Sequence, residues 1–104
     1  MCGINGVVGL NNISEVLFQG IRNLEYRGYD SAGVAVINGP TEIGRVRTQG
    51  KVSILEDLLS DSPLHGLLGI AHTRWATHGE PSQSNAHPHV CQGRVAVVHN
   101  GIIE

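Results

Sequence analysis

The sequence predicts an α+β layered domain, and three observations carry that prediction. Apolar, β-branched runs alternate with two segments of helical periodicity. The strand-like runs are joined by hairpin-like links, and no repeat, low-complexity tract or linker divides the 104 residues. The whole chain, 1–104, is therefore read as one segment without an internal boundary.

Residues 4–10 are apolar or β-branched with two glycines between them, which predicts a buried strand close to the start of the chain. Asn12 with Glu15 three positions later forms a weak capping box, and Ile13, Val16, Leu17, Ile21 and Leu24 recur at helical spacing, predicting a helix over 13–25. Residues 32–38, a turn at Gly39-Pro40 and residues 42–48 read as a hairpin. Val52, Ile54, Leu55, Leu58 and Leu59 predict a short amphipathic helix that ends before Pro63. Two further strands follow, over 67–72 and 94–99, separated by a long stretch rich in His, Pro, Ser, Thr and Asn, of the kind that carries function when it lies inside a domain. The last strand runs into an Asn-Gly turn, so the sheet is expected to be incomplete here, with an edge left open.

Composition narrows the function. Hydrophobic residues make up 40% and charged residues 15%, which suits a folded chain. The net charge is −2 with no run of Lys or Arg, so neither a nucleic-acid surface nor an anionic-membrane patch has an electrostatic basis. No apolar stretch approaches bilayer length and no export signal opens the chain, which makes Cys2 and Cys91 free thiols of a cytoplasmic protein on this reading. Small-molecule chemistry is the expectation that remains.

Three places carry residues suited to such chemistry. Cys2 becomes the first residue once Met1 is removed, and then bears a thiol and a free α-amine on one carbon. With reference pKa values of about 8.5 and about 7.7–8.0, the amine can take the thiol proton directly or through water. The alternative is a small buried cysteine on the first strand. Asn100 and Gly101 can aim a side-chain amide and a backbone N–H at a developing oxyanion, although Asn-Gly by itself is more often a turn. In the run Ala71 to Glu80, Arg74 offers a planar fork for an α-carboxylate, with Thr77 and His78 as neutral donors and acceptors; taken alone, the same run reads as a surface Arg beside a half-buried Trp75. His72, His78, His87 and His89 invite a metal hypothesis, but the paired four-ligand spacing of a structural zinc site is missing, so neither metal nor cofactor is expected. Cys91 reads as a packing residue or an exposed thiol.

Met1-Cys2-Gly3-Ile4 followed by a strand resembles the start of class II glutamine amidotransferases. Leu24-Glu25-Tyr26-Arg27-Gly28-Tyr29-Asp30-Ser31-Ala32-Gly33 narrows the likeness. The segments Arg74-Trp75-Ala76-Thr77-His78-Gly79-Glu80-Pro81, Asn85-Ala86-His87-Pro88-His89 and Val98-His99-Asn100-Gly101-Ile102-Ile103-Glu104 resemble the hexosamine-forming branch, the glutamine–fructose-6-phosphate aminotransferases. An amidophosphoribosyltransferase would need other residues around Arg27 and Arg74.

The resemblance implies the αββα sandwich of the amino-terminal-nucleophile (Ntn) hydrolases, of which this chain holds the first part. It implies that Cys2 attacks the glutamine side-chain amide to give a thioester and ammonia, with Asn100 and Gly101 holding the oxyanion. Arg74, Thr77 and His78 would bind glutamine, Trp75 would belong to a gating loop, and Arg27 would be a supporting charge. The ammonia would convert fructose-6-phosphate to glucosamine-6-phosphate in sugar-isomerase domains that lie beyond Glu104, in an enzyme that forms homo-oligomers. The alternative is a truncated, non-catalytic module that binds glutamine or associates with another subunit. One departure stands out: Asn5 occupies a position where the family's opening strand generally has Val, and a buried Asn without partners costs roughly 1–3 kcal/mol.

Overall fold

A computed structural model describes residues 3–9, 13–24, 30–37, 43–61, 64–74 and 86–99. Along the chain these form β1 (Gly3–Val8), α1 (Ile13–Asn23), β2 (Ser31–Ile37), β3 (Ile43–Gln49), α2 (Val52–Asp61), β4 (Leu68–Arg74), β5 (His89–Cys91) and β6 (Val95–Val97). The first four strands make one sheet in the order β1-β4-β2-β3, with every neighbouring pair antiparallel, and β5 and β6 make a separate hairpin. The architecture is α+β, as the periodicities predict.

Strand alternation divides the sheet into two chemically different faces. Ala32, Val34 and Val36 of β2 and Ala71 of β4 point to one side, where they meet Ile13, Leu17, Phe18 and Ile21 of α1 and Val52, Leu55 and Leu59 of α2 in a single buried cluster. Burying a side chain of this size contributes about 1.5–3 kcal/mol, so this cluster is the main stabilising element among the described residues. Ile54 and Leu58 of α2, which share the helical spacing, turn outward and are 45% and 38% exposed. Between the helices, Arg22 and Glu56 approach to 3.6 Å, but both side chains are at least half exposed, and such a pair is worth about 1 kcal/mol or less.

Asn5 lies on this helix-facing side of β1 and is half-buried. Its amide sits against Gly20 of α1, at a point where any Cβ on residue 20 would overlap it. Asn5 in the opening strand thus packs against a glycine in the helix that covers it.

The opposite face carries Ile4, Val8, Ile37 and Leu68, which are 42–74% exposed, and a polar band made by His72, Arg45 and Arg47. Residues 86–89 lie over that band. No helix among the described residues is long and apolar enough to cross a membrane.

Two expectations need correction. The polar stretch after residue 72 is not irregular throughout, because β4 runs on to Arg74 and His89–Cys91 forms a strand. The run expected over 94–99 forms a strand only at Val95–Val97, outside the main sheet and paired with β5. The hairpin closes through Arg94 N–H donating to Cys91 O at 3.0 Å, with positive φ at Gln92 (54°) and Gly93 (64°), a geometry that suits a tight hairpin turn. Asn12 of the proposed cap and the turn at Gly39-Pro40 lie outside the described residues.

Candidate functional site

At one end of the main sheet the ladder registers Gly3 with Thr73, Thr73 with Ala32, and Arg74 with Ser31. Gly3 N–H donates to Thr73 Oγ1 at 3.1 Å in a buried contact, which fastens the first described residue to β4. Asp30 N–H donates to Arg74 O at 2.7 Å, and Gly50 N–H donates to Asp30 O at 2.8 Å, so the end of β4, the start of β2 and the β3–α2 junction are stitched together. Ser31 is fully buried beside Arg74, and Arg74 is only 9% exposed. Arg74 is thus a buried residue at the end of a paired strand rather than an exposed one on a loop.

The second cluster lies on the face opposite the helices. His87 stacks on the buried His72 of β4, with ring centroids 4.3 Å apart and planes at 25°, and His89 tilts against His87 at 4.4 Å and 54°. Arg47 Nη1 donates to Ala86 O at 3.1 Å and Arg45 Nη1 to Pro88 O at 3.4 Å. Between those two carbonyls, the carbonyl of His87 rests on Gly33, where a side chain would collide with it. His99 N–H donates to His87 Nδ1 at 3.3 Å.

Electrostatics follow from this packing. Burial lowers the His87 imidazole to about 4, and the positive potential of His72, His89, Arg74 and His99 acts in the same direction. His89 is lowered too, by burial first and then by Arg47, Arg45 and Arg74. Both rings are therefore neutral near pH 7. Among the described residues no three His, Cys, Asp or Glu side chains are arranged to hold a metal ion.

Of the residues singled out from sequence, Arg74 is described, at the end of β4. Cys2, Arg27, Trp75, Thr77, His78, Asn100 and Gly101 lie outside the described residues. Their neighbours in the chain are described, however, and converge on one strand. Gly3, next to Cys2, is bonded to Thr73; Arg74, next to Trp75, ends β4; and His99, next to Asn100, is tied through His87 to His72 of the same strand. Arg45 and Arg47 escaped the sequence reading, although their spacing of two on a strand already puts both on one face. Cys91 is an exposed free thiol.

The chain is 60% identical over its whole length to a glutamine–fructose-6-phosphate aminotransferase (isomerizing) of Legionella pneumophila, and 62% identical to those of Haemophilus influenzae and Shewanella oneidensis. It matches the amino-terminal part of these aminotransferases. In each comparison all of the chain is covered, and it spans 17% of the relative's length. The relatives bear the name of an enzyme that acts on glutamine and fructose-6-phosphate. No protein-family model matches the chain.

Proposed function

We propose that the chain carries glutamine-hydrolysing machinery of the aminotransferase type, built on an Ntn-hydrolase fold, with Cys2 as nucleophile. The observation that supports this reading is the common anchorage on β4: the described neighbours of Cys2, Trp75 and Asn100 are all fastened to that strand, and Arg74 is its last residue.

The chemistry then runs as follows. With Met1 removed, the α-amine of Cys2 accepts the thiol proton and the thiolate attacks the side-chain amide carbon of glutamine. The carbonyl oxygen becomes an oxyanion that receives hydrogen bonds from the Asn100 amide and the Gly101 N–H. The C–N bond breaks, the departing nitrogen takes the proton held by the amine, and ammonia leaves a glutamyl thioester on Cys2. Water then cleaves the thioester, giving glutamate and restoring the thiol. Arg74 pairs with the substrate α-carboxylate, Thr77 and His78 add neutral hydrogen bonds, and Trp75 and Arg27 act in closure and support. On this reading, transfer of the ammonia to fructose-6-phosphate and pairing between copies fall to a longer enzyme, of whose relatives this chain spans 17%. The cytoplasm is the compartment this chemistry suits, since it needs a reduced thiol.

A diazoketone analogue of glutamine tests the proposal. The expected result is one adduct, located by peptide mass spectrometry at Cys2, slowed by excess glutamine and abolished by Cys2→Ala. Labelling that ignores glutamine, or that falls on Cys91 instead, contradicts it. Glutamine binding without any adduct would favour the non-catalytic module.

A further inference from the structure

We propose that His87 is a positioning residue for glutamine hydrolysis, its Nδ1 receiving the His99 backbone N–H and thereby setting the chain just before Asn100-Gly101 at a fixed distance from β4 and Arg74. The inference rests on the reading above and adds to it a residue that does not touch the reacting atoms.

The geometry makes His87 a bracket held through its ring and through the backbone on either side of it. Its ring stacks on His72, which is fully buried and lies two residues before Arg74 on β4. Its carbonyl is seated on Gly33 of β2. The carbonyls on either side of it, those of Ala86 and Pro88, accept from Arg47 and Arg45 of β3. A ring held in this way presents Nδ1 in one direction, and the group it meets is the N–H of His99 at 3.3 Å. Displacing the ring therefore releases His99, the residue before Asn100, and misplacing an oxyanion donor by even a fraction of an ångström weakens its hold on the transition state.

The contact also requires a particular protonation state. To accept at Nδ1 the imidazole must be neutral with its proton on Nε2, because a protonated ring offers two donors and no acceptor. The groups that face His87 are His72 and Arg74 from β4, His89 from β5, Arg45 and Arg47 from β3, and His99. With burial, this surrounding of basic groups keeps the ring neutral well below the pH at which the Cys2 thiol and amine exchange a proton.

Two substitutions separate positioning from packing. His87→Phe keeps a stacking ring but has no acceptor, whereas His87→Asn keeps an acceptor near the place of Nδ1 without the ring. In the 104-residue chain, the Cys2 thiolate displaces N2 from the protonated diazo carbon while the oxyanion donors hold and polarise the neighbouring carbonyl, whereas iodoacetamide, which loses iodide, needs no oxyanion donor. Cys91 serves as an internal control for general reactivity. The expected result is that His87→Phe slows diazoketone labelling of Cys2 roughly fivefold or more, leaves iodoacetamide labelling of both cysteines unchanged, and that His87→Asn restores most of the rate. A through-bond nitrogen–nitrogen coupling between His99 N and His87 Nδ1, read by NMR, should be present at pH 7 and vanish when the ring is protonated. Equal slowing with both reagents, no slowing with either, or failure of His87→Asn to restore the rate overturns the positioning role. Absence of the coupling does so as well. If the unsubstituted chain takes no diazoketone label, the glutamine reading and this inference fall together, a result distinct from those in which His87 alone is at fault.

Discussion

Gly33→Ala puts one methyl group at the point where β2 meets residues 86–89. In an ordinary strand interior this change stabilises by roughly 0.5–1 kcal/mol, because glycine loses more backbone freedom on folding. Here the new Cβ would overlap the carbonyl oxygen of His87 and come within 3.0 Å of Arg47 Cγ and 3.1 Å of the His87 carbonyl carbon. The obstacle is backbone, and it cannot retreat cheaply, since Arg47 and Arg45 hold the carbonyls on both sides at 3.1 and 3.4 Å. Overpacking of this kind costs about 1–3 kcal/mol, and withdrawal of the segment would instead give up two hydrogen bonds worth about 1 kcal/mol each. Either route outweighs the backbone gain, so the net expectation is a loss of about 1–2 kcal/mol. Urea unfolding followed by circular dichroism reads the loss as a lower midpoint with an unchanged slope. Amide spectra should show shifts at Arg45, Arg47 and His99. A variant as stable as the parent, with the His99 amide unmoved, would refute the close seating of His87 on β2.

Leu55→Ala should cost about 2–5 kcal/mol in the same unfolding assay, because Leu55 is fully buried in the cluster that joins α2 to the sheet. Gly20→Ala should fail to give the usual gain of about 1 kcal/mol in a helix while Asn5 is present, and should give it in an Asn5→Ala background, the difference being read from a double-mutant cycle. Stability should fall as the pH drops from about 6.5 toward about 4. The unfolded chain binds protons at His87 and His89 in that interval while the folded chain, with His87 lowered to about 4, resists them. Denaturant midpoints measured across the interval test the sign, and His87→Asn should flatten the dependence.

The fold was legible wherever a pattern was local. α1 and α2 follow from the 3.6-residue recurrence of Ile13, Leu17 and Ile21 and of Val52, Leu55 and Leu59, and the pairing of β2 with β3 follows from reading residues 32–38 and 42–48 as the two arms of a hairpin. What escaped depends on contacts distant in sequence. His89–Cys91 is too short to show an alternation, and its partner Val95–Val97 was assigned to a longer strand, so the hairpin they form is recognised only once they are paired. The partnership of Asn5 with Gly20 joins residues on different elements, and neither residue alone announces it. Arg74 stands out in the sequence only by its chemical type, while its burial and its link to Asp30 come from tertiary packing. That His87 stacks on His72 and tilts against His89 could not be read from the spacing of the histidines, since it is fixed by how residues 86–89 cross the sheet.

The central claim is that the sulfur of Cys2 and the guanidinium of Arg74 address the same glutamine molecule. A crystal structure of the chain after reaction with the diazoketone analogue measures this directly. The expected structure has a covalent bond from Cys2 Sγ to the ligand, with the ligand's α-carboxylate paired to Arg74 at the end of β4. A ligand attached to Cys2 whose carboxylate lies away from Arg74, with its ketone oxygen out of reach of the Asn100 amide and the Gly101 N–H, would contradict it.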